Sequence, residues 1–270
     1  MAPPNVLLIV ADDLPRNIIG SYGANHSLFP QLDSLGQTGL VFTNAYTVAP
    51  LCTPSRYSLL TGTYASRGAR DNNADGTFAA ARQVDFQVFL ERKSRASQTH
   101  TMAHMFADAG FMTGMLGKYH VGRSLQPADC ASTRPDTAGN TSAHAAPSTP
   151  FVRASLLSDP SERAAYSCQT IGNQSCLARS IQQHAGFSHV SDIYYDNDAL
   201  TFYAHQPEWM AHEAVSFIRT ARKRVRPFFL WMAPSLTHSP SDVVQQLQSE
   251  PRLAAAGCGT LDGFDGDPVK

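Results

Sequence analysis

Apolar and polar positions fall along this chain in blocks of differing period. Residues 5–13, "NVLLIVADD", form a continuous apolar run closed by two carboxylates, the pattern of a central parallel strand buried on both faces. "FPQLDSLGQTG" sets Pro30 near a helix start and Gly39 at its end. Residues 40–48, "LVFTNAYTV", read as another strand. In "THTMAHMFADAG", Met102, Met105, Phe106 and Ala109 share one helical face, with Gly110 as the C-terminal cap. "FMTGML" is a short strand that runs into "GKYHVG". "DIYYDNDALTFYA" alternates around Asp-Asn-Asp as a hairpin does. The most regular helix is "PEWMAHEAVSFIRTARKR", where Met210, Ala214, Phe217, Ile218 and Ala221 share a face and basic residues crowd the last turns. "PFFLWMAPSLTHSP" then supplies a strand, a turn and His238.

Alternating strand and helix signals predict an α/β fold, a mostly parallel central sheet with helices on both faces. No internal repeat is visible. Residues 123–150 change to Ala, Ser, Thr and Pro without periodicity, the texture of a loop insertion at the surface. With 270 residues, 43% of them hydrophobic, the chain can bury one sizeable core, or one large domain and an incomplete second. Charged residues make up 16% and the net charge is −1, with no basic stripe, so nucleic acid is not an expected partner. No run reaches the roughly 20 apolar residues of a membrane span. The start, "MAPPNVLLIVADD", lacks a charged n-region and a small-residue cleavage site, so no signal peptide is read. Of the five cysteines, setting Cys52 aside leaves Cys130, Cys168, Cys176 and Cys258, an even set compatible with two disulfides. Asn25, Asn140 and Asn173 each head a glycosylation-acceptor triplet. Cysteines and acceptors lean towards an extracytosolic compartment, the absent leader leans away, and localisation stays open.

Ligands of open α/β sheets bind beyond the carboxyl ends of the strands. Here one strand delivers Asp12 and Asp13, another Lys118 and His120, a third His238, while the Cys52 segment follows the 40–48 strand and opens a helix near Ser55. That convergence of four segments on one edge is the main pointer to chemistry. Each piece has a plainer reading: the aspartates as a turn or N-cap pair, Lys118 and His120 as solvated loop residues, His238 as a surface histidine. As ligands, two adjacent hard oxygen donors suit Ca²⁺ or Mg²⁺ rather than zinc. His100 and His104 are spaced i, i+4 but flank an apolar face with no third ligand, and are read as structural. A lone cysteine is by default a buried structural thiol. Against that default, Pro54 and the following helix put Cys52 near a positive dipole end, and Arg56 adds a planar cation able to grip an oxyanion. The cysteine phosphatase loop, with arginine six positions after its cysteine, is ruled out because position 58 is Ser58.

"CTPSRYSLLTG" resembles the signature of the formylglycine-dependent type I sulfatases of the alkaline-phosphatase-like superfamily. "NVLLIVADD" is similar to the family's opening strand and metal-binding Asp pair, "GFMTGMLGKYHVG" to its Gly-Lys-x-His block, and "RPFFLWMAPSLTHSP" to its Pro-Phe-Phe…His-x-Pro block. The order agrees, and the resemblance runs from about Asn5 to Pro240. It implies that Cys52 is oxidised to formylglycine by a formylglycine-generating enzyme that reads Pro54 and Arg56. It implies a calcium ion held by Asp12, Asp13 and the oxygen at position 52, with Arg56 polarising the hydrated aldehyde. His120 would take the proton that releases sulfate, Lys118 and His238 would contact the sulfate oxygens, and His238 would protonate the leaving oxygen. The implied substrate is a sulfated small molecule or glycan. The family's second metal-ligand pair, a further lysine and a smaller C-terminal domain have no counterpart: Asp262, Asp265 and Asp267 lack a preceding apolar strand. Residues 1–270 are therefore expected to be an incomplete N-terminal catalytic domain. Related hydrolases with the same diol cleave phosphonate monoesters or phosphodiesters, and a non-catalytic protein that binds sulfated glycans is a third reading. Family members are mostly lysosomal, secreted or periplasmic.

Overall fold

Parallel strands form the sheet on which the described residues are built, in the spatial order β1 (Val6–Ile9), β4 (Phe228–Ala233), β2 (Met112–Lys118) and β3 (His189–Tyr194). The structure is a computed structural model describing residues 3–25, 28–66, 101–121, 177–194 and 206–234. The helices are α1 (Pro30–Thr38), α2 (Cys52–Thr61), α3 (Met102–Asp108), α4 over 177–184 and α5 (Gln206–Lys223), with 3-10 turns at Arg16–Ile18 and Gly20–Tyr22. No described helix is long and apolar enough to cross a membrane.

Two apolar layers sandwich the sheet. Phe229 and Trp231 of β4 point into one, with Tyr57 and Leu60 of α2 and Phe187. Phe228 and Leu230 point into the other, with Met210, Phe217 and Ala221 of α5. β4 and β2 are thus the strands buried on both faces, as continuous apolar runs in parallel sheets are. The α5 stripe expected from its spacing is the buried face, and the helix ends in Arg222 and Lys223, where cations complement its dipole. α1 starts at Pro30 and is capped by Gly39, as expected.

Four expectations need correction. β1 is not buried on both faces: it spans only Val6–Ile9 at the edge of the described sheet, and Leu7 and Ile9 are about half exposed. An apolar run cannot say whether its second neighbour is present. Residues 40–48 form no strand but an exposed loop with a turn at Thr43 and Asn44. Side chains rather than a ladder take its carbonyls: Tyr22 Oη donates to Phe42 O at 3.2 Å and Arg16 Nη1 to Thr43 O at 3.2 Å. In α3, Met105 is 65% exposed, while Ala103 is buried and Met102 and Phe106 pack on the core; Phe106 stacks on Phe229 at 4.3 Å. Finally, α2 begins at Cys52, not near Ser55.

His104 is structural, as expected of a histidine flanking an apolar face with no third ligand. Its backbone N–H donates to Thr101 Oγ1 while its ring accepts from the Thr101 N–H, closing a capping box at the start of α3. Thr101 Oγ1 also donates to Ala185 O at 2.6 Å, tying α3 to the chain after α4. His100, Cys130, Cys168, Cys176, Cys258, His238, the 123–150 insertion and most of the expected hairpin lie outside the described residues. So do Asn140, Asn173 and the acidic tail.

Candidate active site

The site gathers at the carboxyl ends of β1 and β2, where α2 begins. The ladder continues one step past β1 through Val10 N–H to Met232 O at 2.9 Å, which brings Asp12 to the end of the sheet. Asp12 is buried, while Asp13 is exposed and takes a positive φ of 55°. In α2, Leu51 at the N-cap offers no side-chain bond, so the first turn leaves backbone N–H groups at Cys52 and Thr53 without intrahelical partners. Pro54 fits that turn because its missing N–H costs no helical bond there. Arg56 lies one turn on from Cys52 and shares its face.

β2 supplies the rest. Lys118 closes the strand with no exposed surface, Tyr119 turns into the core, and His120, at φ 41°, turns back towards Cys52. Cys52 Sγ and His120 Nδ1 are 3.1 Å apart. Lys118 Nζ donates to Asp12 Oδ2 at 2.7 Å, and Arg56 Nη2 lies 3.3 Å from Asp12 Oδ1. Arg56 Nη1 also donates to Lys118 O at 2.8 Å. The guanidinium therefore bridges α2 to the ends of both strands.

Two cations face one carboxylate here, away from water. An unpaired buried charge costs several kcal/mol, which explains the tight pairing. Among the three buried groups, Asp12 against Lys118 and Arg56 leaves a surplus of one positive charge, before the exposed carboxylate of Asp13 is counted. Together with the start of α2, that surplus favours an anion in front of Cys52. For a cation, Asp12 and Asp13 are hard oxygen donors of the kind calcium takes. Both Asp12 oxygens already carry a cationic partner but retain lone pairs, while no group of three or more His, Cys, Asp or Glu converges among the described residues. The donors fit calcium in kind and leave most of its usual six to eight positions to other groups.

The structure thus brings together Asp12, Cys52, Arg56, Lys118 and His120, with Asp13 beside them. His238 is outside the described residues. Sequence spacing does not announce that Asp12 pairs with Lys118, 106 positions away.

A parallel α/β sheet thus carries, at its carboxyl edge, a helix start with Cys52 and the buried cations Arg56 and Lys118. The PsFucS1 sulfatase from Pseudoalteromonas sp. shares that fold, with a TM-score of 0.51 at 21% identity over 87% of this chain and 44% of that one. The chain belongs to the sulfatase family: the Sulfatase profile matches residues 4–256. Arylsulfatase A of Bos taurus is 40% identical over 124 residues, 45% of this chain and 22% of that protein. N-acetylgalactosamine-6-sulfatase of Canis lupus familiaris is 26% identical over 239 residues, 88% of this chain. The matched part spans 40% of the canine protein's length.

Proposed function

We propose that this chain carries the nucleophile of a sulfatase that hydrolyses sulfate esters of small molecules or glycans, with Cys52 converted to formylglycine. The observation that supports the reading is Cys52 at the start of α2, 3.1 Å from His120, with Arg56 one turn along the same helix and paired, like Lys118, with the buried Asp12. The Sγ atom stands in for one hydroxyl of the hydrated aldehyde.

That hydroxyl would give its proton to water and bond through its oxygen to the ester sulfur as the bond from sulfur to the alcohol oxygen breaks; His238 would donate a proton to the departing alkoxide and regain one from solvent. The second hydroxyl then gives its proton to His120. As the C=O bond re-forms, the C–O bond to sulfate breaks, sulfate leaves, and water restores the diol. A serine at this position would lack the second hydroxyl and would stop at the sulfate ester. Arg56 and Lys118 offset the charge on the transferring group. Calcium, when bound by Asp12, Asp13 and the oxygen at residue 52, supplies electrostatic polarisation. The formylglycine-generating enzyme is the partner this chemistry requires.

The test uses the full-length protein made together with the modifying enzyme. Mass spectrometry of the residue 52 peptide is expected to show the aldehyde, and the protein is expected to turn over an aryl sulfate faster than the matched aryl phosphate diester. An unconverted thiol with no turnover sinks the reading, and faster phosphodiester cleavage reassigns the reaction.

A further inference from the structure

Along β2 the pleat sends alternate side chains to opposite faces. Phe111 and Met115 join the layer that contains Tyr57 of α2, while Met112 and Leu116 join the α5 layer. A Cβ on Gly114 would also face α5, 2.9 Å from the Phe217 ring. Strict alternation would therefore send position 117 towards α2, and Lys118 towards the hydrocarbon of α5.

Neither happens. Gly117 has a φ of +88°, and a Cβ there would point at Met210 Cε of α5, 2.7 Å away, and lie 2.3 Å from Ala233 O. The register against β3 slips at the same step: Leu116 pairs with Ser191 but Gly117 with Ile193. One residue later, Lys118 has its ammonium on Asp12 and its carbonyl on Arg56, the α2 group.

The geometry points to Gly117 as a positioning residue for the sulfate site. Its left-handed conformation breaks the pleat of β2 and turns the Lys118 ammonium from the apolar α5 face into the Asp12–Arg56 group. Two physical facts restrict the position to glycine. Other residues are strained at such a φ, and the atom that blocks a Cβ is a backbone carbonyl oxygen, which cannot swing aside as a side-chain end can. The inference rests on the reading of Lys118 as an anion-binding group, so its test checks both separately.

The test is the alkylation of unconverted Cys52 in full-length protein made without the modifying enzyme. Rates are read at the residue 52 peptide by mass spectrometry, with anionic iodoacetate and neutral iodoacetamide in parallel. In both reactions the sulfur displaces iodide, so the ratio of rates cancels thiol exposure and reactivity and reports the local positive field. Gly117→Ala and Lys118→Met are each expected to lower the iodoacetate preference by about threefold to tenfold. Their combination is expected to be no worse than Lys118→Met alone, because the glycine acts through the lysine. If Lys118→Met leaves the ratio unchanged, the reading of Lys118 fails. If it lowers the ratio while folded Gly117→Ala does not, or if the two losses multiply, the positioning role fails. Gly117→Asn, better able to adopt a left-handed φ, takes the same measurement should Gly117→Ala not fold, and failure of both to fold overturns the inference in favour of a role in the sheet as a whole.

Discussion

Helices α2 and α5 lie against opposite faces of one sheet, and they are built on different rules. α5 presents a regular apolar stripe, Met210, Ala214, Phe217 and Ala221, to hydrocarbon. α2 buries Thr53, Arg56 and Ser58 along with Tyr57 and Leu60, so polar groups enter the interior beside apolar ones. One helix is held by shape and area, the other by paired charge and a carbonyl of the next strand. Stability alone would favour the first arrangement. The second keeps charged groups poised beside a thiol, which makes α2 the helix of the site.

Substitutions on the two helices and strand ends should separate these roles. The largest effect is expected from Cys52→Ala, which should lower aryl sulfate turnover of the full-length protein by about a thousandfold or more without a large change in melting temperature. Asp12→Ala comes next. It strips the buried partner from Lys118 and Arg56 and should cost about 4 kcal/mol in denaturant unfolding, with turnover lost even in the fraction that folds. Phe217→Ala on the α5 side should cost about 3 kcal/mol through the cavity it leaves, yet turnover per folded molecule should stay within about twofold. Equal loss of specific activity in these last two variants would erase the contrast between the faces.

The smallest effect concerns α5 and pH. Contact with His189, whose Nε2 lies 2.9 Å from Glu213 Oε1, holds the Glu213 carboxyl below its ordinary value of 4.5 against the opposing push of burial. A lowered carboxyl favours the fold above its unfolded value, and that contribution fades as pH drops through the folded one. Glu213→Gln should therefore flatten the fall in melting temperature below about pH 4.5, by an amount worth less than about 1 kcal/mol because the pair is partly exposed.

The same contrast explains what could be read before the fold was known. α5 was legible because a stripe at helical spacing has one meaning when it is long and ends in cations. The start of α2 was displaced by three positions: Pro54 signals a first turn, and a proline is compatible with several places inside it. Asp12, Cys52, Arg56, Lys118 and His120 were legible through local motifs, each tied to a strand end or helix start. Their mutual pairing was not, because it depends on chain segments far apart. β1 and residues 40–48 show the other limit. Both are rich in apolar residues, and only the presence or absence of a neighbouring strand decides what such a run becomes.

Withdrawal of Asp12, Arg56 and Lys118 from solvent has a consequence for the medium in which the protein operates. Mobile ions screen charges at the surface within about 10 Å at 0.1 M salt, but they cannot enter between groups this tightly enclosed. The attraction among these three should persist from dilute buffer to brine, while steering of an anionic ester from a distance should weaken. High ionic strength is then expected to raise KM more than it lowers kcat.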